Sequence, residues 1–462
     1  MPRLDGVWRW LSGQAYFDLM ALVAGLNPVP YRIAGLVAHA LTSWLVYRWA
    51  RGYVAPAAAF LGAMAFAVHP ASYGDLYSIS SIGEILMALF AVATLVLAAA
   101  PGPVRWLALP CFALSLVSKE TTILLPLVAF AEHRQRTKRL IGALPVALLA
   151  ISIAHFAALA AQDVFGVRRG DNLAYAASAG ALIPNLLTYA NWLVDACILT
   201  MTSFSDRVDP AHFLAGGAVL VVLIALAFLK PLRDRGYAIA LLGAAAFLLP
   251  VLPLANHTYH YYLYAPLAGI ALAAAALWDN AGHLISTRQV KAAAPAAESS
   301  SVRAWTWAGV VAALLVVNGA LVVRKIETYP FIEGLRADAL VDRALIAERV
   351  FRDLEAARLP EGARLRFWSP ASQALERERR PDADPARETY WEQNVRQSVL
   401  DGLGVRVLVP RVREAIFVRE FRRLDDAILY AVYLPDGRLG VATTAQLDSM
   451  MRSQPPKAGT EP

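Results

Sequence analysis

The chain has 462 residues, of which 58% are hydrophobic and 17% charged, and its mean hydropathy is +0.46. Soluble domains average roughly 45–50% apolar and about 25% charged, so this balance speaks against a water-solvated protein and predicts a membrane protein. The formal net charge of +7 does not indicate nucleic-acid binding, because many basic residues fall in short loops between apolar runs, the pattern of membrane orientation.

Residues 1–10 carry charges and lack the compact apolar core of a cleavable signal. A helical crossing needs about 20 apolar residues. Runs near that length recur at 33–50, 54–70, 85–101, 140–161, 210–229, 237–253, 263–278 and 304–323. Between 106 and 131, Lys119 and Glu120 interrupt a further apolar run. It reads either as one span with a charged centre or as two short spans turning at Ser118, Lys119 and Glu120. Two spans leave Arg105 on the same side as Arg134, Arg136, Lys138 and Arg139, which is what the positive-inside rule favours. On that reading Arg48, Arg51, Lys230, Arg233, Arg235, Arg288, Lys291 and Arg303 join them on the cytoplasmic face, against only Lys119, Arg168, Arg169 and Arg207 in the opposite loops. The segment 162–209, with 173–201 interfacial or re-entrant, lies on the outer face. Residues 279–303 form a cytoplasmic linker rich in Ala, Pro and Ser toward its end.

About ten crossings result, spanning 1–324, and the first starts outside, which suggests an N-terminal helix ahead of Met1. An extracytoplasmic α/β domain follows at 325–450, with a disordered tail at 451–462. Within the domain, Leu340, Ala344, Ala347, Phe351 and Leu354 share one helix face. Strands are expected at 364–368, 405–409, 415–418 and 427–434, the last turning at Asp436-Gly437 into 439–442. Cys111 and Cys197 lie in apolar surroundings with no metal-ligand spacing, so neither a disulfide framework nor a zinc site is indicated.

Every polar cluster in the apolar part falls on the outer face: His69 through Asp75 to Glu84; Ser118, Lys119 and Glu120; Arg168, Arg169 and Asp171; and Asn256, His257, Thr258, Tyr259, His260, Tyr261 and Tyr262. Ionisable groups at membrane depth usually face a bundle interior or a water cavity, so four clusters on one face point to one cavity. Each has a plainer reading beside it. His69 before Pro70 is also suited to capping a helix, Asp75 and Glu84 to solvated loops, and the aromatic run to an interface belt. Lys119 and Glu120 are sequence neighbours and do not face each other on a helix, so each needs another partner. His39, His155 and His212 read as satisfied core histidines.

The blocks Asn27-Pro28, Tyr31 and His39, then Ala67-Val68-His69-Pro70 through Ile79-Ser80 to Glu84-Ile85-Leu86, then Ser118-Lys119-Glu120 with Pro126, and Tyr261-Tyr262-Leu263-Tyr264-Ala265-Pro266 resemble, in order and interval, those of GT-C glycosyltransferases. The resemblance covers about residues 16–270. It is nearest to protein O-mannosyltransferases of the transmembrane and tetratricopeptide-repeat type and their bacterial relatives, although no tetratricopeptide helices follow. It implies a polytopic α-helical protein of the bacterial inner membrane that moves a sugar from a polyprenyl-phosphate donor to a protein or envelope-glycan acceptor on the outer face. Asp75 and Glu120 would then be the candidate catalytic carboxylates. His69, Lys119, Arg168, Arg169 and His257 would be candidates for the phosphate side, and Tyr259, His260, Tyr261 and Tyr262 would border the lipid or sugar. No cofactor is named by the residues; a divalent cation held by one or two carboxylates stays open. The pattern departs from the family in three places. The acidic residue of the first outer loop would precede this chain's start, with Asp5 or Asp18 as substitutes; Tyr16-Phe17-Asp18 stands for Tyr-Arg-Pro; and Ile82 stands for an arginine. Two other readings remain beside this one: an inactive relative that binds an envelope partner, and a transporter or flippase, for which inverted repeats would be expected.

Overall fold

The computed structural model describes residues 8–139, 141–162, 177–193, 210–255, 258–290, 339–370, 373, 390–422, 428–433 and 438–453, with isolated positions between 309 and 320. The chain forms two compact units, Met1–Val322 and Val323–Pro462. It is mostly helical, with one small sheet near the C-terminus.

The helices of the first unit are α1 (Tyr16–Ala24), α2 (Pro28–Ala50), α3 (Pro56–Ala67), the single turn α4 (Tyr73–Tyr77), α5 (Ile82–Ala98), α6 (Ala108–Ser118), α7 (Leu125–Thr137) and α8 (Ala143–Ala161). After them come α9 (Leu182–Trp192), α10 (Pro210–Ala227), the short α11 (Lys230–Asp234), α12 (Tyr237–Leu248) and α13 (Pro266–Val290). Local chemistry sets their ends. Asn27 caps α2, its side chain accepting from Val29 N–H at 3.1 Å, and Pro28 opens the first turn. At Lys119 the backbone is extended (φ −162°, ψ 137°), which ends α6 before a 3-10 turn, Glu120–Leu124, leads into α7.

The direction of the chain reverses there. Lys119 bonds to Glu84 in the first turn of α5, while Arg136, near the end of α7, donates to the Ala99 carbonyl at the other end of α5 (3.0 Å). α6 and α7 are therefore two antiparallel helices, and a single span with a charged centre is ruled out.

Helix α2 carries apolar side chains on its outward as well as its inward face. Gly35, Ala38, His39, Thr42, Val46 and Trp49 face inward, and Ile33, Leu36, Val37, Leu41 and Trp44 face outward. Large apolar side chains are likewise exposed along α8 (Ile153, Phe156) and α10 (Leu214, Val221, Val222, Ile224). The core itself is tight. A Cβ on Gly62 of α3 would lie 2.6 Å from the Ala271 carbonyl oxygen of α13, and one on Gly269 of α13 would lie 2.6 Å from the Ala244 nitrogen of α12. These glycines let three helix backbones approach closely.

The two ends of this bundle differ chemically. At one end Glu132 accepts from Trp49 Nε1 and the Tyr53 hydroxyl, both at 2.6 Å, and Arg235 pairs with Asp279 at 2.7 Å. Arg48, Arg51, Arg134 and Arg136 cluster on the same helix ends. His69, Asp75, Glu84, Lys119 and the 259–262 segment gather at the opposite end.

Each apolar run expected as a crossing before residue 279 contains a helix, but the lengths differ from expectation. Among the described residues, two helices are long and apolar enough to cross a bilayer by that measure alone: Ile79–Ala98, which is α5 with its preceding turn, and α8. α3 and α12 have 12 residues each, about 18 Å of rise against a hydrocarbon core of about 30 Å. Helix α2 has 23 residues but includes Arg32 and Arg48. The expected run at 304–323 lies outside the described residues apart from isolated positions. Helix α13 continues to Val290, into the segment 279–303 expected as a linker, whose remainder lies outside the described residues.

The second unit is a four-stranded sheet in the order β2-β1-β3-β4, with β1 (Ala363–Trp368), β2 (Val412–Phe417), β3 (Ile428–Tyr433) and β4 (Leu439–Thr443). β1 pairs parallel with β2 and β3, and β3 pairs antiparallel with β4. One face packs Leu365 and Phe367 against Ile346, Val350 and Leu354 of α14 (Ala339–Ala356), with α15 (Tyr390–Ser398) alongside. On the other face Tyr430 and Val432 meet Leu447 of α17 (Thr444–Ser453). The strand expected at 405–409 is instead helix α16 (Leu403–Leu408). It starts from Gly402 in the left-handed region (φ 85°) and buries only Val405, leaving Val407 and Leu408 exposed. A five-residue apolar run cannot by itself separate helix from strand. The Asp436-Gly437 turn lies outside the described residues.

Candidate functional site

The site is built from three loops at the end opposite the basic cluster. The first begins at His69, whose Nδ1 accepts from Ala71 N–H (3.1 Å) and caps the turn Pro70–Ser72, and whose Nε2 donates to the Leu193 carbonyl (3.3 Å). Both ring nitrogens of His69 are thus used to shape the loop. The turn sets up α4, where Tyr73 stacks on Tyr77 (5.5 Å between centroids) and Asp75 points inward, 1% exposed.

Neither carboxylate oxygen of Asp75 has a hydrogen-bond partner among the described residues. Burial pushes this carboxyl well above the usual carboxylate range. Neighbouring Glu84 adds to the rise and Lys119 opposes it.

The second loop supplies Lys119, which bonds to the buried Glu84. Its ammonium also lies 4.8 Å from the Tyr261 ring and 4.4 Å from the Tyr262 ring, within cation–π range. Glu120 turns the other way, into a bidentate pair with Arg9 (3.0 and 2.6 Å), and Ser12 donates to the Ser118 carbonyl at 2.6 Å. Burial alone would raise the Glu120 carboxyl, but the Arg9 guanidinium, with Lys119 beyond it, holds it below the usual range. Lys119 and Glu120 therefore have separate partners, as the helix geometry required.

The third loop is tied to α9. Asn185 donates to the Leu252 and Leu254 carbonyls (2.8 and 3.0 Å) and accepts from Thr258 (2.8 Å). His260 stacks on Trp192 at 3.9 Å, and Tyr259 stacks on Tyr261 at 4.8 Å. Beneath, His39 accepts from the Tyr264 hydroxyl (2.8 Å) and donates to the Ala67 carbonyl (2.9 Å), a satisfied core histidine.

Three of the four expected clusters thus meet, around Lys119. Arg168, Arg169, Asp171 and His257 lie outside the described residues, so the fourth cluster is not placed. Sequence reasoning missed Arg9, Arg32 and the weight of Glu84. Glu84 was legible as a carboxylate at the start of an apolar helix. Arg9 was not, being 111 positions from its partner. Arg32 lines a crevice together with Tyr16, Tyr31, Asp75, Ser78 and Ile82. The crevice is narrow, with room for about one water molecule. Among the described residues no group of three or more His, Cys, Asp or Glu gathers to hold a metal ion.

Compared with protein families, with curated proteins and with solved structures, the chain matches none.

Proposed function

We propose that this chain is a membrane-embedded glycosyltransferase that moves a sugar from a polyprenyl-phosphate donor to an acceptor hydroxyl at the outer face of the membrane. The observation that carries the reading is Asp75: a carboxylate almost wholly buried, without a hydrogen-bond partner among the described residues, lining a crevice beside a Glu84–Lys119 pair. A buried carboxyl without a partner is costly in a purely structural role. It is the arrangement a general base needs, with its affinity for protons raised above that of an ordinary carboxylate.

Asp75 takes the proton of the acceptor hydroxyl as its oxygen bonds to the anomeric carbon. The bond from that carbon to the phosphate oxygen breaks, and its electron pair leaves with the lipid phosphate. A phosphate leaves readily, so the site needs no second carboxylic acid, in contrast to glycoside hydrolysis. The ordered blocks and the outward apolar faces of α2, α8 and α10 support a bilayer setting, in which α-helices satisfy their own backbone.

The test is transfer from a radiolabelled polyprenyl-phosphate sugar to an envelope extract by purified protein in detergent, followed as loss of label from the lipid phase. Asp75→Asn should slow transfer about 100-fold or more without lowering the unfolding temperature. Transfer by Asp75→Asn at the wild-type rate would reject Asp75 as the base.

A further inference from the structure

Lys119 is poorly placed to bind an anion. Its charge is already met by buried Glu84, and the rings of Tyr261 and Tyr262 lie against its ammonium. Arg32 differs on each count. It is half-buried at the same end of the bundle and lines the crevice that Asp75 lines. Among the described residues it has no hydrogen-bond or ion-pair partner. Its guanidinium lies over the Tyr77 ring, 4.8 Å from the centroid, and Tyr77 is itself braced by Tyr73. A guanidinium can offer two parallel N–H bonds to a phosphate, which a lysine ammonium cannot. The hydroxyls of Ser78 and Ser80, 2.8 Å apart, stand at the same loop as further donors.

The surroundings indicate what carries the anion. Around Arg32 in the chain, α1, the turn after it and the start of α2 expose Leu22, Leu26, Val29, Ile33 and Leu36, an apolar strip. A half-buried cation that lines a crevice, with exposed apolar side chains on its own helix, is complementary to an amphiphile with a phosphate head and a long hydrocarbon tail.

We propose that Arg32, and not Lys119, holds the phosphate of a long-chain lipid phosphate, whose tail lies along the exposed faces of α1 and α2. This rests on the transferase reading for the identity of the ligand as donor, and it adds the residue and the surface that bind it. Asp75 lines the same crevice as Arg32. Glu84–Lys119 sets the charge around Asp75 without touching the phosphate.

Binding of a C55 polyprenyl phosphate to purified protein in detergent, read by native mass spectrometry, tests this. Inorganic phosphate and C55 polyprenol serve as competitors that carry only the head or only the tail. The wild type should bind the lipid phosphate, with neither competitor displacing it at equal concentration. Arg32→Gln should weaken binding about tenfold or more, and Arg32→Lys should keep part of it. Displacement by inorganic phosphate at equal concentration would overturn the apolar strip as the tail site. Wild-type affinity in Arg32→Gln, with loss in the Lys119→Met/Glu84→Gln double variant, would overturn the assignment to Arg32 and leave the donor class standing. No binding of C55 polyprenyl phosphate by wild type would overturn the assignment and the donor class together.

Discussion

Two buried carboxylates, Asp75 and Glu84, lie close enough to influence each other, and Lys119 bonds to Glu84. Asp75 lacks the lysine, and its affinity for protons is raised well above that of an ordinary carboxylate. Burial is the larger cause of that raised affinity and the Glu84 charge the second. A base of this kind is active only after losing its proton, so the transfer rate should rise with pH along a limb lying above the ordinary carboxylate range. Glu84→Gln removes a charge that raises the Asp75 carboxyl and keeps the lysine that lowers it. The limb should therefore move to lower pH in the variant, as measured by pH profiles of kcat/KM for both proteins. An unmoved or upward-shifted limb would show that Glu84 does not tune the base. Little of this was legible in the sequence: the order of the blocks brought Asp75 and Lys119 forward, but only folding shows which carboxylate has the lysine.

At the scale of elements, charge placement was the informative signal. The reversal at Lys119 followed from counting arginines on either side of an apolar run, because loop charge obeys a simple electrostatic preference. Helix lengths were not legible in the same way. Apolar runs continue past the ends of helices such as α3 and α12 into turns that are equally apolar. In the second unit, alternation found β1, β2, β3 and β4, whereas Val405 to Leu408 misled because its burial depends on one contact. The close approach of α3, α12 and α13 leaves no room for side chains at Gly62 and Gly269. Gly269→Val should cost roughly 1–3 kcal/mol, seen as a lower thermal unfolding midpoint in detergent, whereas Gly309→Ala, where nothing lies within 4 Å, should leave that midpoint in place.

Across the whole first unit, chemistry sits at one end and positive charge at the other. If that axis crosses a membrane with the basic end in the cytoplasm, single cysteines should report it in a Cys111→Ser/Cys197→Ser background. Ser80→Cys should react with an impermeant maleimide on intact cells, and Thr137→Cys only after permeabilisation. The opposite pattern would invert the orientation. The same axis bears on bioenergetics. In the proposed reaction, Asp75, its crevice and the acceptor would all lie at one end, so the proton taken from each acceptor hydroxyl would return to the side it came from. Turnover then moves no net charge through the bilayer, and the membrane potential neither drives the reaction nor opposes it. A protonophore should leave the transfer rate in sealed vesicles unchanged, where a carrier built on the same charges would stall.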